Sequence, residues 1–536
     1  MNRNTTLRYT LLIVNCQLSI ANCWSQTKPN IVYIMTDDHT AQMMSCYGNS
    51  PIQTPNLDRI AREGVRFTHS FVANSLSGPS RACMITGKLS HKNGFTNNEH
   101  GIFDGSQQTM PKLMQLAGYQ TALIGKWHLV STPTGFNHYD ILEGQGEYYN
   151  PTFIHDDGTR SVEKGYCTDV ITDKAISWME QRDKSEPFIL FVHHKACHRD
   201  WLPDLKDLHA FEDQTFSLPS TFWDNYEGRP AARQQEMAIG SSHDMDLIYD
   251  NKIYLPGDTS RLSRLYLDYV NRLPEEDRKT YFQFHDSLSR DFKAHPLTGR
   301  ELTEFKFQRY MRDYCKVTKS LDENVGRLMQ YLQDNELLEN TLIVYTSDQG
   351  FYMGEHGWFD KRFMYEESLN TPLIMRLPQG YNRRGLINEM VQNIDYAPTF
   401  LEMAGAIIPD DIQGQSLVPL LKGGGQQAEN GTWRDAIYYH YYEYPAEHMV
   451  RRHYGIRTER YKLIHFYPHA AKAQDTTGQP RIDQWELYDL QTDPQELHNL
   501  YGQPRYKKLQ RQMHRRLRQL QEYYDDPIEK ELKSIQ

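Results

Sequence analysis

Two short runs constrain this 536-residue chain more than anything else in it. Asn30-Ile31-Val32-Tyr33-Ile34-Met35-Thr36 and Thr341-Leu342-Ile343-Val344-Tyr345-Thr346-Ser347 are apolar and β-branched along nearly their whole length. A strand with one wet face alternates, whereas a strand covered on both faces does not. Both runs therefore read as inner strands of a parallel sheet with helices on either side. Each run ends in acid: Asp37-Asp38 after the first, Asp348-Gln349-Gly350 after the second. In open α/β sheets, ligands bind beyond the carboxyl ends of the strands. Adjacent aspartates also cap helices, but the repeated ending argues for convergence. Set side by side, the two strands would bring together three carboxylates and an amide oxygen, a hard-oxygen set suited to calcium. The candidate metal ligands are Asp37, Asp38, Asp348 and Gln349.

The length allows roughly two to four domains with ample core. Aromatic residues at 12% and apolar residues at 39% describe a globular chain rather than a disordered one. The net charge of −10 gives no basis for nucleic-acid binding, and an anionic substrate would need a local cationic pocket. At the start, Arg3 and Arg8 precede Leu11-Leu12-Ile13-Val14 and then small and polar residues up to Ser25. This reads as a signal peptide over 1–25, and hence a periplasmic or secreted protein. Ile20-Ala21-Asn22-Cys23 loosely resembles a bacterial lipobox, which makes a lipid anchor at Cys23 the secondary reading. No later stretch approaches the ~18 apolar residues of a membrane span. Cys46, Cys83, Cys167, Cys197 and Cys315 are odd in number and widely spaced, which supports neither zinc nor a complete disulfide framework.

Four further stretches carry chemistry. Ser77-Gly78-Pro79-Ser80-Arg81 reads as a tight turn feeding a helix, with Pro79 at the first helical position and Ser80 able to cap. It would hold Ser77 at a helix N-terminus, where backbone N–H groups favour an anion, with Arg81 one turn on. Leu123-Ile124-Gly125-Lys126-Trp127-His128 ends a strand whose alternation puts Lys126 and His128 on one face, solvated or turned to a site. Pro187–Val192 is a buried strand running into His193-His194-Lys195-Ala196-Cys197-His198-Arg199-Asp200-Trp201. Gly354-Glu355-His356-Gly357-Trp358-Phe359-Asp360-Lys361-Arg362 follows the second acidic strand.

Taken in order, Ser77-x-Pro79-Ser80-Arg81 with Thr86-Gly87, Gly125-Lys126-Trp127-His128, Ala196-Cys197-His198 and Lys361 resemble the motifs of the type I sulfatases of the alkaline phosphatase superfamily. Gln349 departs from the family's usual Asn or His, and Cys197 stands where Pro is usual. The resemblance implies that Ser77 is oxidised to formylglycine (3-oxoalanine) by a maturase, and that the acidic set holds one calcium ion. It also implies that Arg81, Lys126 and Lys361 grip sulfate, that His198 protonates the departing oxygen, and that His128 acts on the nucleophile. Asp360 and Arg362 flank Lys361 and could reach sugar hydroxyls. His453, just before Gly455-Ile456-Arg457-Thr458, is the expected second sugar contact.

The expected fold is α/β: a large mixed, mostly parallel sheet flanked by helices, with a smaller C-terminal α+β subdomain of one antiparallel sheet and one helix. The Gly-Gly-Gly and Gln/Asn-rich stretch around 420–432 marks the boundary, giving a catalytic domain over 28–425 and a subdomain over 432–536. Residues 203–300 read as an insertion carrying helices over the sheet. His194-Lys195-Ala196-x-His198-Arg199-x-Trp201 and the segment at 144–151 resemble the branch of N-acetylglucosamine-6-sulfatases and mucin-desulfating enzymes. The expected substrate is thus the 6-O-sulfate of glucosamine or N-acetylglucosamine in a glycosaminoglycan or mucin sugar. The alternatives are another sulfated sugar position, a phosphatase or phosphodiesterase of the same superfamily, and a catalytically silent sulfated-glycan-binding protein.

Overall fold

The computed structural model describes residues 28–241, 244–254, 257–423, 433–468 and 477–535. The stretch read as a signal peptide, with Cys23, lies outside them, as does the boundary stretch at 424–432. In chain order the strands are β1 (Asn30–Thr36), β2 (Val65–Phe67), β3 (Ser70–Phe71), β4 (Gln120–Gly125), β5 (His138–Leu142), β6 (Thr152–His155), β7 (Arg160–Val162) and β8 (Phe188–His193). They continue as β9 (Thr341–Ser347), β10 (Leu373–Arg376), β11 (Gly385–Ile387), β12 (Val391–Gln392), β13 (Ala436–Tyr441), β14 (His453–Thr458), β15 (Tyr461–Phe466) and β16 (Gln484–Asp489). Among the described residues, ten strands form one sheet in the order β11-β2-β10-β9-β1-β8-β4-β5-β6-β7. The run from β9 to β5 is parallel, and antiparallel pairs occur only towards the flanks. The fold is the expected mixed, mostly parallel α/β sheet.

Burial on both faces is what removes alternation from the inner strands. Val32 and Ile34 of β1 and Ile343 and Tyr345 of β9 enter one core with the helices Cys167–Gln181 and Gly299–Asp334. Ile31, Tyr33, Met35, Leu342 and Val344 enter another with Ser77–Thr86 and Tyr396–Met403. Each such side chain contributes about 1.5–3 kcal/mol of burial. The pairing of β1 with β9 matches Thr36 to Ser347, so Asp37 and Asp348 leave the sheet side by side.

The expected insertion also packs as helices over the sheet, at Arg261–Val270 and Glu275–Ala294. It is fastened by buried charge: Asp313 of the long helix meets Lys252 at 3.2 Å, Arg309 at 3.3 Å and Lys316 at 3.4 Å. Removing one partner from such a cluster would leave an uncompensated buried charge, which is strongly destabilising.

The C-terminal sheet runs β13-β14-β15-β16, all antiparallel. The expected helix, Lys507–Tyr523, covers one face through Met513 and Leu517, and a second short helix, Ile528–Ile535, follows it. The other face packs on the large domain, with Tyr439, Tyr441, Phe466 and Tyr488 against Tyr352, Trp358, Phe363 and Tyr365. Glu486 of β16 is buried in this aromatic layer and accepts from Tyr365 Oη at 2.9 Å and Tyr488 Oη at 2.8 Å. Burial pushes its carboxyl up to about 7 despite those two donors. Between the usual glutamate range near 4.5 and pH 7 the folded chain therefore holds a proton that the unfolded chain has released, and stability falls as pH rises. Denaturant titration from pH 4.5 to 7.5 is expected to show Glu486→Gln losing less stability across that window than the parent, by on the order of 2–3 kcal/mol. Parallel slopes for the two proteins would contradict this assignment.

Candidate active site

Ser77 opens the helix Ser77–Thr86, which ends on Gly87 in the left-handed region. Pro79 lies third in the helix rather than first, and Ser80 does not cap. Its hydroxyl instead donates to the Asp348 carbonyl and accepts from Asn393 Nδ2 at 2.9 Å. That exchange ties the helix start to the end of β9. The Ser77 hydroxyl donates to Asp37 Oδ1 at 3.1 Å and accepts from Gln349 Nε2 at 3.3 Å.

Around Ser77 the structure brings Asp37, Asp38, Asp348, Gln349, Arg81, Lys126 and Lys361 together, all buried. Arg81 donates from Nε and Nη2 to Asp348 Oδ2 at 3.0 and 2.9 Å, and from Nη1 to the Lys126 carbonyl at 2.8 Å. Lys126 Nζ bonds Asp37 Oδ2 and Gln145 Oε1. Lys361 Nζ meets Asp38 Oδ2 at 2.7 Å. Three buried carboxylates thus face three buried cations.

Their titration follows from that crowding. Burial alone would raise Asp37, but the charges of Lys126, His198, Arg81 and Lys361 hold it well below the usual carboxylate range. Burial, with repulsion from Asp37 and Asp348, pushes Asp38 up to about 7 against the pull of Lys361. Asp348 rises to about 6 by burial and the Asp37 charge. Burial lowers Lys126 to about 8.

His198 Nε2 lies 3.8 Å from Asp38 Oδ2, and atoms of Asp37, Asp38 and His198 fall within 4.8 Å of one another. Its Nδ1 is committed to the Arg199 carbonyl at 2.6 Å, which leaves Nε2 to exchange protons. His128 reaches the group through Gln145. Lysine can only donate, so the Gln145 oxygen faces Lys126 and its amide nitrogen donates to His128 Nε2 at 3.1 Å. Burial and the Lys126 charge keep His128 well below the usual histidine range, and burial foremost does the same for His198. Gln145 sits in the segment singled out at 144–151, but nothing in the pattern there announced its contact.

The Gln349 amide directs Nε2 at Asp38 Oδ1 (2.5 Å), while Oε1 is buried without a hydrogen-bond partner. A carbonyl oxygen left bare beside crowded carboxylates, two of them pushed upward by burial and then by repulsion, fits a site for a hard cation. Ligation by Oε1 would require the amide to turn over.

Asp360 and Arg362 flank Lys361 with φ of 75° and 90°, and Asp38 and His128 also lie in the left-handed region at 62° and 57°. Non-glycine residues held there cost on the order of 1–3 kcal/mol each and persist where packing over-determines them. Arg362 Nε donates to Asp360 Oδ1 at 3.1 Å, and Asp360 Oδ2 lies 3.2 Å from His448 Nε2. Glu447 approaches Arg362 at 3.5 Å and Arg199 at 3.7 Å. His453 does not join them. It is fully buried, Met364 N–H donates to its Nε2 at 3.0 Å, its Nδ1 pairs with the Arg451 carbonyl at 2.7 Å, and it stacks on Phe363 and Tyr439. The histidine beside Asp360 is His448, which sequence reasoning missed because it lies on a connecting segment without periodicity.

Buried carboxylates for a cation, a hydroxyl at a helix N-terminus, and cations placed to neutralise an oxyanion define a hydrolase site for a strongly acidic ester. The sulfatase family profile matches residues 29–406, and that of the N-sulphoglucosamine sulphohydrolase C-terminal region matches 354–523. The chain belongs to the sulfatase family and is a sulfuric ester hydrolase. It is 49% identical over 535 residues to an N-acetylglucosamine-6-O-sulfatase of Bacteroides thetaiotaomicron, covering 97% of this chain and 92% of that one. The solved structure of BT4656 in complex with its substrate D-glucosamine-2-N,6-O-disulfate superposes with a TM-score of 0.87 at 49% identity, over 93% of this chain and 98% of that one. An arylsulfatase of Clostridium perfringens is 25% identical over 492 residues, covering 90% and 92% of the two chains.

Gly125 supplies a test of how the site is positioned. It ends β4 at φ 108°, and an added Cβ would lie 2.0 Å from the His193 carbonyl oxygen. Gly125→Ala must push β4 off β8 and move Lys126. Sulfate release is expected to fall at least ~100-fold, the penalty typical of ångström-scale misplacement. Gly118→Ala, at φ 83° but with nothing within 4 Å of the added Cβ, is expected to retain activity. Equal activities for the two variants would contradict the close-approach argument.

Proposed function

We propose that the chain removes the 6-O-sulfate of glucosamine or N-acetylglucosamine from glycosaminoglycan or mucin sugars, as an exported enzyme whose Ser77 is matured to formylglycine. The observation that carries this reading is the convergence of Ser77, Arg81, Lys126, His198 and Lys361 on one carboxylate-lined space, in a chain 49% identical to a sulfatase named for that bond. Residues 28–425 act as the catalytic domain, and 432–536 as a subdomain closing it from the side of Asp360 and Arg362.

In this reading Asp37, Asp38, Asp348 and a turned Gln349 would hold calcium, which would supply positive charge to the sulfate oxygens and acidity to the hydroxyl at position 77. An aldehyde at position 77, when hydrated, offers two hydroxyls, which allows sulfate to be accepted and then expelled where a plain serine would retain it. Lys126 and Lys361 exchange their carboxylate partners for sulfate oxygens, and Arg81 holds Asp348 while facing the same space. Positioning and neutralisation of the equatorial oxygens account for most of the acceleration in such transfers. The departing sugar oxygen is a poor leaving group as an alkoxide; His198, whose Nδ1–H is held by the Arg199 carbonyl, serves as the acid once the anionic ester has drawn a second proton to Nε2. His128 Nε2, freed from the Gln145 amide, then takes the proton from the second hydroxyl at position 77; that oxygen closes to C=O as the C–O bond to sulfate breaks, which releases sulfate and restores the aldehyde. Asp360 and Arg362, with His448, meet the sugar hydroxyls.

Intact-mass analysis of the peptide containing residue 77, from protein co-produced with a maturase, tests the chemistry. Loss of two hydrogens from Ser77, accompanied by sulfate release from glucosamine 6-sulfate and abolished by Ser77→Ala, is the expected result. An unmodified serine that hydrolyses phosphate esters would move the chain to the phosphatases. An unmodified serine that binds sulfated sugar without turnover would make it a glycan-binding protein.

The metal reading has its own test. Excess calcium over chelator is expected to raise the melting temperature of the parent by mass action, and Asp348→Asn and Asp38→Asn are expected to lose most of that shift. An unchanged parent melting temperature at millimolar calcium would overturn it.

A further inference from the structure

We propose that Glu443, on the segment that follows β13, is a positioning residue coupling the sugar-facing Arg362 to the turn that carries Ser77. The inference rests on the reading of Arg362 given above. Glu443 is 5% exposed and uses both carboxylate oxygens as acceptors. Oε1 takes Arg362 Nη1 at 3.1 Å, and Oε2 takes the Asn98 backbone N–H at 2.6 Å. Asn98 in turn accepts the Gly78 N–H on its Oδ1 at 3.2 Å, immediately after Ser77. An added Cβ on Gly78 would come within 2.5 Å of that oxygen, so Asn98 is packed directly on the helix start.

The remaining partners of Arg362 do not replace this anchor. Asp360 holds Nε, Tyr441 Oη lies 3.4 Å from Nη1, and Glu447, 63% exposed, approaches Nη2 at 3.5 Å. The Arg362 backbone is fixed from the same side: Tyr439 Oη donates to its carbonyl at 2.5 Å and accepts the Ser75 N–H at 3.2 Å. Residues 439–443 thus bridge the loop before Ser77 and the loop carrying Asp360, Lys361 and Arg362. A carboxylate is the side chain this bridge needs, because both neighbours are donors. A glutamine could accept from Asn98 but would turn an NH2 towards the guanidinium.

The test uses the matured full-length enzyme with Glu443→Gln, Glu443→Asp, Arg362→Ala and the Glu443→Gln/Arg362→Ala pair. Glu443→Gln is expected to raise KM for glucosamine 6-sulfate about tenfold or more with kcat little changed, the scale of one charged hydrogen bond. The pair should be no worse than Arg362→Ala alone, since Glu443 acts through Arg362. Glu443→Asp, which keeps both acceptors, should restore part of the loss. Hydrogen exchange should quicken across 360–362 in Glu443→Gln, the side that loses its acceptor, while β1 and β9 stay protected.

Additive losses in the pair, a fall in kcat with KM unmoved, or unaltered exchange across 360–362 would each overturn the proposal. If Glu443→Gln does not fold, Glu443→Asp carries the same comparisons, with a smaller KM rise and quickened exchange expected and parental values in both overturning it. If the parent enzyme releases no sulfate from glucosamine 6-sulfate, the substrate reading fails, and the exchange measurements alone decide the role of Glu443.

Discussion

Three carboxylates forced together at the ends of two neighbouring parallel strands are the condition to which the rest of this molecule responds. Thr36 pairs with Ser347, so Asp37, Asp38 and Asp348 emerge at one point in a buried space. Repulsion and loss of solvent work in the same direction there, as the upward displacement of Asp38 and Asp348 shows. Such a cluster is tolerable only if positive charge is brought to it, and the fold brings it from three remote places in the chain. Arg81 comes from the helix after Ser77, Lys126 from the end of β4 and Lys361 from the loop beyond β9.

That compensation also sets the chemistry. Cations balanced against carboxylates are held in position before any ligand arrives, which is the preorganisation that stabilising an oxyanion requires. The left-handed backbone at Asp38, His128, Asp360 and Arg362 belongs to the same economy. Non-glycine residues take this backbone elsewhere in the chain too, but at these four the strain falls on residues of the site and is offset by the two-sided burial of the sheet. The carbonyl and amide ties around Ser80, Asn393 and the end of β9 lock the Ser77 turn onto that sheet.

The C-terminal sheet supplies residues that contact the loop carrying Asp360, Lys361 and Arg362. One face of that sheet seals against the aromatic layer around Trp358 and Tyr365, and its first strand leads directly to Glu443, Glu447 and His448. The site therefore has two walls of different origin. One wall, with Asp37, Asp38, Asp348 and Lys126, is built on the ends of parallel strands, and the other, with Asp360, Arg362 and His448, on loops held between the two sheets. Loops on a rigid scaffold can vary without disturbing the chemistry beneath them.

Much of this was legible in the chain. Uninterrupted β-branched runs can be stable only when buried on both faces, so β1 and β9, their parallel setting and the acidic endings followed from local composition. The helix beside Ser77 was legible through short-range geometry, although its cap was not; Lys126 and His128 lie past the end of β4, with His128 in the left-handed region, so strand alternation does not place them and the resemblance alone singled them out. What local pattern could not carry was any contact whose partners lie far apart in sequence and on irregular segments. Gln145 between Lys126 and His128 is one such contact, and Glu443 between Asn98 and Arg362 is another. His453 shows the limit from the other side: it lies on a regular strand, yet whether that strand turns it to the sugar or into the aromatic core depends on how two sheets dock. The residues by themselves determined which groups were available and which strand ends would present them. The tertiary structure alone decided which cation answers which carboxylate and which histidine stands beside Asp360, because electrostatic and hydrogen-bond partnerships depend on distance in space, not on distance along the chain.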